Sequence, residues 1–143
     1  MIRTIAMASL CSLVLFIGCS QGPTIAEVEG TLTLDGQPLK GIQLEFLPEV
    51  GPRSIGETDA QGHFKLTTDD GKRAGAAVGS HRVVLRDVGI LGNKFMGRAG
   101  EEVDMSQGRK SLLPQVYTTI NGSPLKAQVE SGKKNDIKLE IKL

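Results

Sequence analysis

Val28-Glu29-Gly30-Thr31-Leu32-Thr33-Leu34, Asp35-Gly36-Gln37-Pro38-Leu39-Lys40-Gly41 and Ile42-Gln43-Leu44-Glu45-Phe46 together form the stretch on which the fold turns. Val28, Gly30, Leu32 and Leu34 alternate with Glu29, Thr31 and Thr33, the period-two pattern of a half-buried strand. Asp35-Gly36 breaks that strand, and Pro38 to Gly41 completes a loop. Ile42, Leu44 and Phe46 then alternate with Gln43 and Glu45 as a second strand. Two amphipathic strands need a second apolar layer to cover them, so the rest of the chain must supply one.

It does so with the same grammar. Pro48 to Pro52 is a turn region, and Ser54 to Thr58 reads as a third strand. Asp59-Ala60-Gln61-Gly62 has the composition of a tight turn, because Asp can bond its own backbone and Gly accepts positive φ. Phe64 and Leu66 point one way on a fourth strand, with His63, Lys65 and Thr67 on the other face, and a hairpin of the third and fourth strands is expected. Asp69 to Gly79 is a glycine-containing loop, and Arg82-Val83-Val84-Leu85-Arg86 is a fifth strand. Leu125, Ala127 and Val129 belong to a sixth. After a turn over Ser131 to Asn135, Ile137, Leu139, Ile141 and Leu143 make a seventh. Lys138, Glu140 and Lys142 form a solvent-facing row on it, of the kind that protects a sheet edge. Seven short strands with no helical period imply an all-β sandwich, immunoglobulin-like in its general layout.

The exception is Val88 to Ser111, where periodicity disappears and glycines stand at 89, 92, 97, 100 and 108. A structureless loop of that length is uncommon in a compact domain and often carries recognition. Lys94, Phe95, Arg98, Arg109 and Lys110 are its candidate contact residues for a partner.

The N-terminus has a different character. Met1 to Thr4 carries one positive charge at Arg3, Ile5 to Ile17 is an apolar run, and Gly18 precedes Cys19. That order reads as a secretory signal, and the run is short for a membrane span. Leu15-Phe16-Ile17-Gly18-Cys19 resembles the lipobox of bacterial lipoproteins, with Phe16 where Leu is usual. The resemblance implies cleavage between Gly18 and Cys19 and acylation (diacylglyceryl and palmitate-type chains) of Cys19. It divides the chain into a signal peptide at 1–18, a lipidated tether at 19–26 and a domain at 27–143. Ser20, not Asp, follows the cysteine, which in many Gram-negative bacteria resembles a lipoprotein sent to the outer rather than the inner membrane.

The domain also carries a resemblance. Val28-x-Gly30-x-Leu32-x-Leu34-Asp35-Gly36-Gln37-Pro38-Leu39-x-Gly41-Ile42-x-Leu44-x-Phe46-x-Pro48 is similar to the opening of carboxypeptidase-regulatory-like domains. Gly56-x-Thr58-Asp59-Ala60-Gln61-Gly62-x-Phe64-x-Leu66 resembles the second signature of that family, and Gly75-Ala76-x-x-Gly79-x-His81-x-Val83 its third. The resemblance implies a seven-stranded transthyretin-like sandwich and does not name an activity.

Composition narrows the function. Lys and Arg total 17 and Asp and Glu 16, so loss of Arg3 leaves 16 of each and no electrostatic case for nucleic acid. The only cysteines are Cys11, in the apolar run, and Cys19, so the mature chain has no internal disulfide. There is no Trp, one Tyr and four Phe, which argues against broad stacking surfaces for sugars or bases. His63 reads as a solvated residue and His81 as a half-buried one with a polar tip. Two lone histidines do not make a zinc site, and neither Asp69-Asp70 nor Glu101-Glu102-x-Asp104 has the spacing of a calcium loop. No nucleophile sits in a recognisable motif. The family also includes a hydrolase marked by a C-terminal Tyr-Arg-Gly-Ser, but this chain ends Leu139-Glu140-Ile141-Lys142-Leu143.

These residues lead to the expectation of a non-catalytic, cofactor-free and metal-free envelope protein. The membrane would be its partner through Cys19, and an envelope protein or glycan its partner through the long loop. Two alternatives stand beside it. One is a carbohydrate or small-ligand binding module. The other is a hydrolase in which His63 and His81 converge with an acid such as Asp59.

Overall fold

Residues that alternate in the sequence alternate in burial. Along β2 (Val28–Leu34), Val28, Gly30 and Leu32 are buried and Glu29 and Thr31 are not. The computed structural model describes residues 22–91, 94–96, 102–104 and 110–143. The first strands of these are β1 (Ile25–Ala26), β2, β3 (Gln37–Pro38), β4 (Ile42–Pro48), β5 (Ser54–Glu57), β6 (His63–Lys65), β7 (Thr67–Thr68), β8 (Ala76–Ala77) and β9 (Gly79–Asp87). After them come β10 (Lys94–Met96), β11 (Glu102–Asp104), β12 (Lys126–Val129) and β13 (Asn135–Ile141). The helical content among the described residues is one α turn, Val88–Leu91, and one 3₁₀ turn, Gln115–Thr118.

The strands form two main layers. A five-stranded sheet has the order β12-β9-β4-β5-β7, all neighbours antiparallel. The second sheet is built on β2: β13 lies parallel to it along its whole length, from Asn135↔Val28 to Ile141↔Leu34. β6 and β3 pair with β2 antiparallel, at Glu29–Thr31 and at Thr33–Leu34 respectively. Phe46 from the larger sheet meets Phe64 from the smaller one, ring centroids 6.1 Å apart and tilted by 48°. Leu32, Leu44, Val83, Leu85, Val129 and Ile141 complete a core in which each is fully buried. Burying a side chain of this kind stabilises the fold by about 1.5–3 kcal/mol relative to leaving it in water.

Local chemistry explains the turns. Asp35 and Gly36 both take positive φ (47° and 81°), the signature of the type I′ hairpin that joins β2 to β3. Asp59 Oδ1 accepts from the backbone N–H groups of Gln61 and His63, both at 2.9 Å, so the Asp59–Gly62 turn is held by its own first residue. Gly30 is a close-approach glycine. A Cβ there would stand 1.9 Å from the Ile137 carbonyl oxygen and 2.8 Å from Cζ of Phe64.

The seven expected strands are thirteen among the described residues, with β3 and β8 in stretches read as loops, and three further features differ from the sequence reading. The expected hairpin of the third and fourth strands divides between layers: β5 pairs with β7, whereas His63–Lys65 crosses to β2. The run changes sheets at Leu66, whose N–H donates to the Val28 carbonyl at 3.0 Å. Ile25 and Ala26, expected in the tether, pair with Ala77 and Ala76 in β1–β8. His81 is not half-buried but 2% exposed, because it sits on the inward register of β9 beside the Phe46 ring at 5.7 Å. Its Nε2 donates to the Ala77 carbonyl at 2.6 Å.

The sandwich has two distinct poles. At the first, the chain enters: the Val78 N–H donates to the Thr24 carbonyl at 2.8 Å, β2 and β13 begin side by side at Val28 and Asn135, and β9 begins at Gly79. At the second, β4 begins at Ile42 opposite Asp87, the end of β9, and β2 ends at Leu34 opposite Ile141. The nine residues of β9 separate the poles by about 30 Å.

Candidate functional site

The 88–111 segment leaves and returns at the second pole. β9 ends at Asp87, and the Val88 N–H donates to the Gly41 carbonyl at 3.2 Å, which ties the departing chain to the start of β4. On the return, the Leu113 N–H donates to Ser111 Oγ at 3.1 Å and the Leu113 side chain enters the core, 7% exposed. Both ends of the insertion are therefore fixed to the sandwich.

The insertion itself contains more order than its sequence suggests. The α turn Val88–Leu91 is followed by the antiparallel ribbon β10–β11, in register Lys94↔Asp104, Phe95↔Val103 and Met96↔Glu102. Strands of three residues show barely one full period of alternation, so no pattern search separates them from the surrounding glycines. Of the candidate contact residues, Lys94 and Phe95 lie on β10, and Arg98 and Arg109 lie outside the described residues. Gly18 and Cys19 lie outside them too. Lys110 is described and exposed.

Lys110 borders a pocket of about 430 Å³ at the root of the insertion. Leu39 and Ile42 form its apolar floor, and Lys40, Asp87 and Leu112 line it with Lys110. Leu112 is 64% exposed although its neighbour Leu113 is buried. An apolar floor with a few charged groups at the rim is the usual build of a recognition site. Asp87 and Leu112 were not singled out by sequence reasoning, because separate segments bring them together with Lys40. The one available signal was the pair Leu112-Leu113 ending a polar run.

A second concavity, about 520 Å³, lies on the solvent face of the smaller sheet. Glu29 and Thr31 of β2, His63 and Lys65 of β6, and Asp136 and Lys138 of β13 contribute to it through strand alternation, and Glu57 and Asp59 line its edge. Its charges are mixed and partly paired. Lys134 Nζ is 2.8 Å from Glu29 Oε1; this bond holds the Glu29 carboxyl below its ordinary range and the Lys134 ammonium above its own. His63 Nδ1 is 3.9 Å from Asp59 Oδ2. His81 does not line this groove, since it faces the core from the other sheet. The hydrolase arrangement of two imidazoles and an acid is thus split between layers. Among the described residues no cluster of three or more His, Cys, Asp or Glu side chains is placed to hold a metal ion.

No family model matches the chain, and no curated protein or solved structure matches it either.

Proposed function

We propose that this chain is a non-catalytic, lipid-anchored envelope protein whose sandwich displays the 88–111 insertion to a partner. The observation that carries the reading is the polarity of the domain. The chain enters the sandwich at one pole, and the insertion leaves and returns at the other, about 30 Å away. A domain tethered at the first pole presents the second to whatever lies beyond the membrane. The anchor rests on the resemblance of Leu15–Cys19 to a lipobox. Acyl chains contribute about 0.8 kcal/mol per buried methylene, so two or more anchor stably. Ser20 favours the outer membrane. The finer assignment, a carboxypeptidase-regulatory-like domain of transthyretin-like topology, is supported by the Val28–Pro48 and Gly56–Leu66 signatures. Among the described residues no helix is long and apolar enough to cross a membrane.

Two linked measurements test this. Labelled palmitate should enter the wild-type chain and not Cys19→Ser, and only the wild type should sediment with membranes. Affinity capture from a detergent extract of the cell envelope should then retain a protein or glycan. That partner should be lost when residues 92–109 are replaced by a short Gly-Ser linker. A partner retained equally by both forms removes the insertion from the proposal. The groove of about 520 Å³ supports a second reading, a small polar ligand held on the outer face of the smaller sheet. Replacing the insertion would leave such binding intact, whereas Lys65→Ala together with Asp136→Ala would reduce it.

A further inference from the structure

The first described residues of the chain are clamped against two turns of the entry pole. Gly51 packs so closely on Pro23 that a Cβ added to it would stand 3.0 Å from Pro23 Cβ. Arg73 Nη1 donates to the Pro23 carbonyl at 3.4 Å, and the Thr24 carbonyl accepts from Val78. Pro23 is therefore fixed to the 49–53 and 69–75 turns. Four peptide steps separate it from Cys19, and they can span at most about 14 Å. That reach is roughly half the length of the sandwich, about 30 Å.

At this pole Val50 projects from the tip of its turn, 76% exposed, the most exposed large apolar side chain but for the terminal Leu143 at 86% among the described residues. The two turns carry three cations, Arg53, Lys72 and Arg73, and three acids, Glu49, Asp69 and Asp70. Arg53 is bonded to Asp69, and Lys72 Nζ lies 3.8 Å from Asp70 Oδ2. An apolar tip in a charge-balanced rim can meet a headgroup layer without a repulsive net charge.

We propose that the entry pole is the membrane-contacting surface of this protein, with the Val50 turn seated in the phospholipid interface beside the tether. This rests on the lipid-anchor reading given above. The short tether brings the pole to the bilayer, and the Val50 contact sets the tilt. The sandwich stands on end, and the root of the insertion, with Lys40 and Lys110, is held away from the lipid.

The test uses the full chain, processed in a bacterial host and reconstituted in phosphatidylcholine–phosphatidylglycerol vesicles containing a headgroup-nitroxide lipid. Cys11 leaves with the signal and the Cys19 thiol is blocked by its lipid, so an introduced thiol is the free one to label. Val50→Cys and Lys40→Cys, both at exposed positions, each receive a fluorophore, and vesicle flotation is scored on the same samples. Quenching several-fold stronger at position 50 than at position 40 is the expected result. Equal quenching, or stronger quenching at 40, in chains that float overturns the orientation and leaves the anchor standing. Chains that do not float overturn the anchor and this proposal with it.

Discussion

Gly30→Ala tests the central architectural feature, the parallel seating of β13 on β2. The new Cβ would lie 1.9 Å from the Ile137 carbonyl oxygen and 2.8 Å from both the Ile137 carbonyl carbon and Phe64 Cζ. An unstrained carbon–oxygen approach is about 3.3–3.6 Å, so the strands would have to separate locally by about 1.5 Å. A packed interior does not absorb that. Overpacking costs about 1–3 kcal/mol. Loosening the β13–β2 ladder around the Gly30↔Ile137 pair forfeits two hydrogen bonds at about 1 kcal/mol each. The sum, about 3–5 kcal/mol, is a large fraction of the total stability of a domain of this size. Urea unfolding of the chain from Gln21 onward, followed by far-UV circular dichroism because there is no Trp, would measure it. Phe64→Leu in the Gly30→Ala background should recover little, since the harder collision is with backbone rather than with the ring. A Gly30→Ala variant within about 0.5 kcal/mol of the wild type would refute the close approach and with it this strand pairing.

Asn135 provides a second probe. Its Oδ1 accepts from the Glu130 N–H at 2.9 Å, and its Nδ2 lies 3.1–3.2 Å from the carbonyls of Glu27, Glu130 and Lys133. Asn135→Ala should cost about 1–3 kcal/mol by the same urea assay, and Asn135→Asp at least as much, since a carboxylate cannot donate. Arg86 Nε lies 2.6 Å from Glu45 Oε1, and Glu45 is 8% exposed. Arg86→Met should therefore cost about 1–3 kcal/mol, and adding Glu45→Met should restore much of it because no charge is then left without its partner. The Lys134 bond lowers the Glu29 pKa from its ordinary 4.5, and the Thr68 hydroxyl and the Lys72 N–H lower that of Asp70 from 3.8. The stability these carboxylates contribute is fully present above those ordinary values and is lost as pH falls through the lowered folded ones. The Glu29→Gln/Asp70→Asn variant should show a shallower acid limb in thermal melts against pH; a limb as steep as that of the wild type would locate the acid sensitivity elsewhere.

The candidate site was only partly legible. The missing periodicity of 88–111 set that segment apart from the strands, yet the β10–β11 ribbon inside it was invisible, because three-residue strands carry almost no pattern. Lys110 was named from its charge. The pocket it borders also needs Leu39, Ile42 and Asp87, residues whose meeting depends on where β4 begins beside the end of β9.

By itself the sequence determined the longer strands and the turns between them. Alternation over Val28–Leu34, Ile42–Phe46, Phe64–Leu66 and Ile137–Ile141, with Asp35-Gly36 and Asp59–Gly62 between strands, specifies β-structure and turns through interactions a few residues long. Only the tertiary structure decided which strands are neighbours. The parallel β2–β13 pair joins segments more than a hundred positions apart, His63–Lys65 leaves its expected hairpin for the other layer, and His81 is sealed inside. The same packing put the first described residues, through the bond of Thr24 to Val78, at the pole opposite the root of the 88–111 segment. The physical reason is that side-chain alternation fixes which face of a strand is apolar, whereas the choice of partner is made by packing the whole core at once.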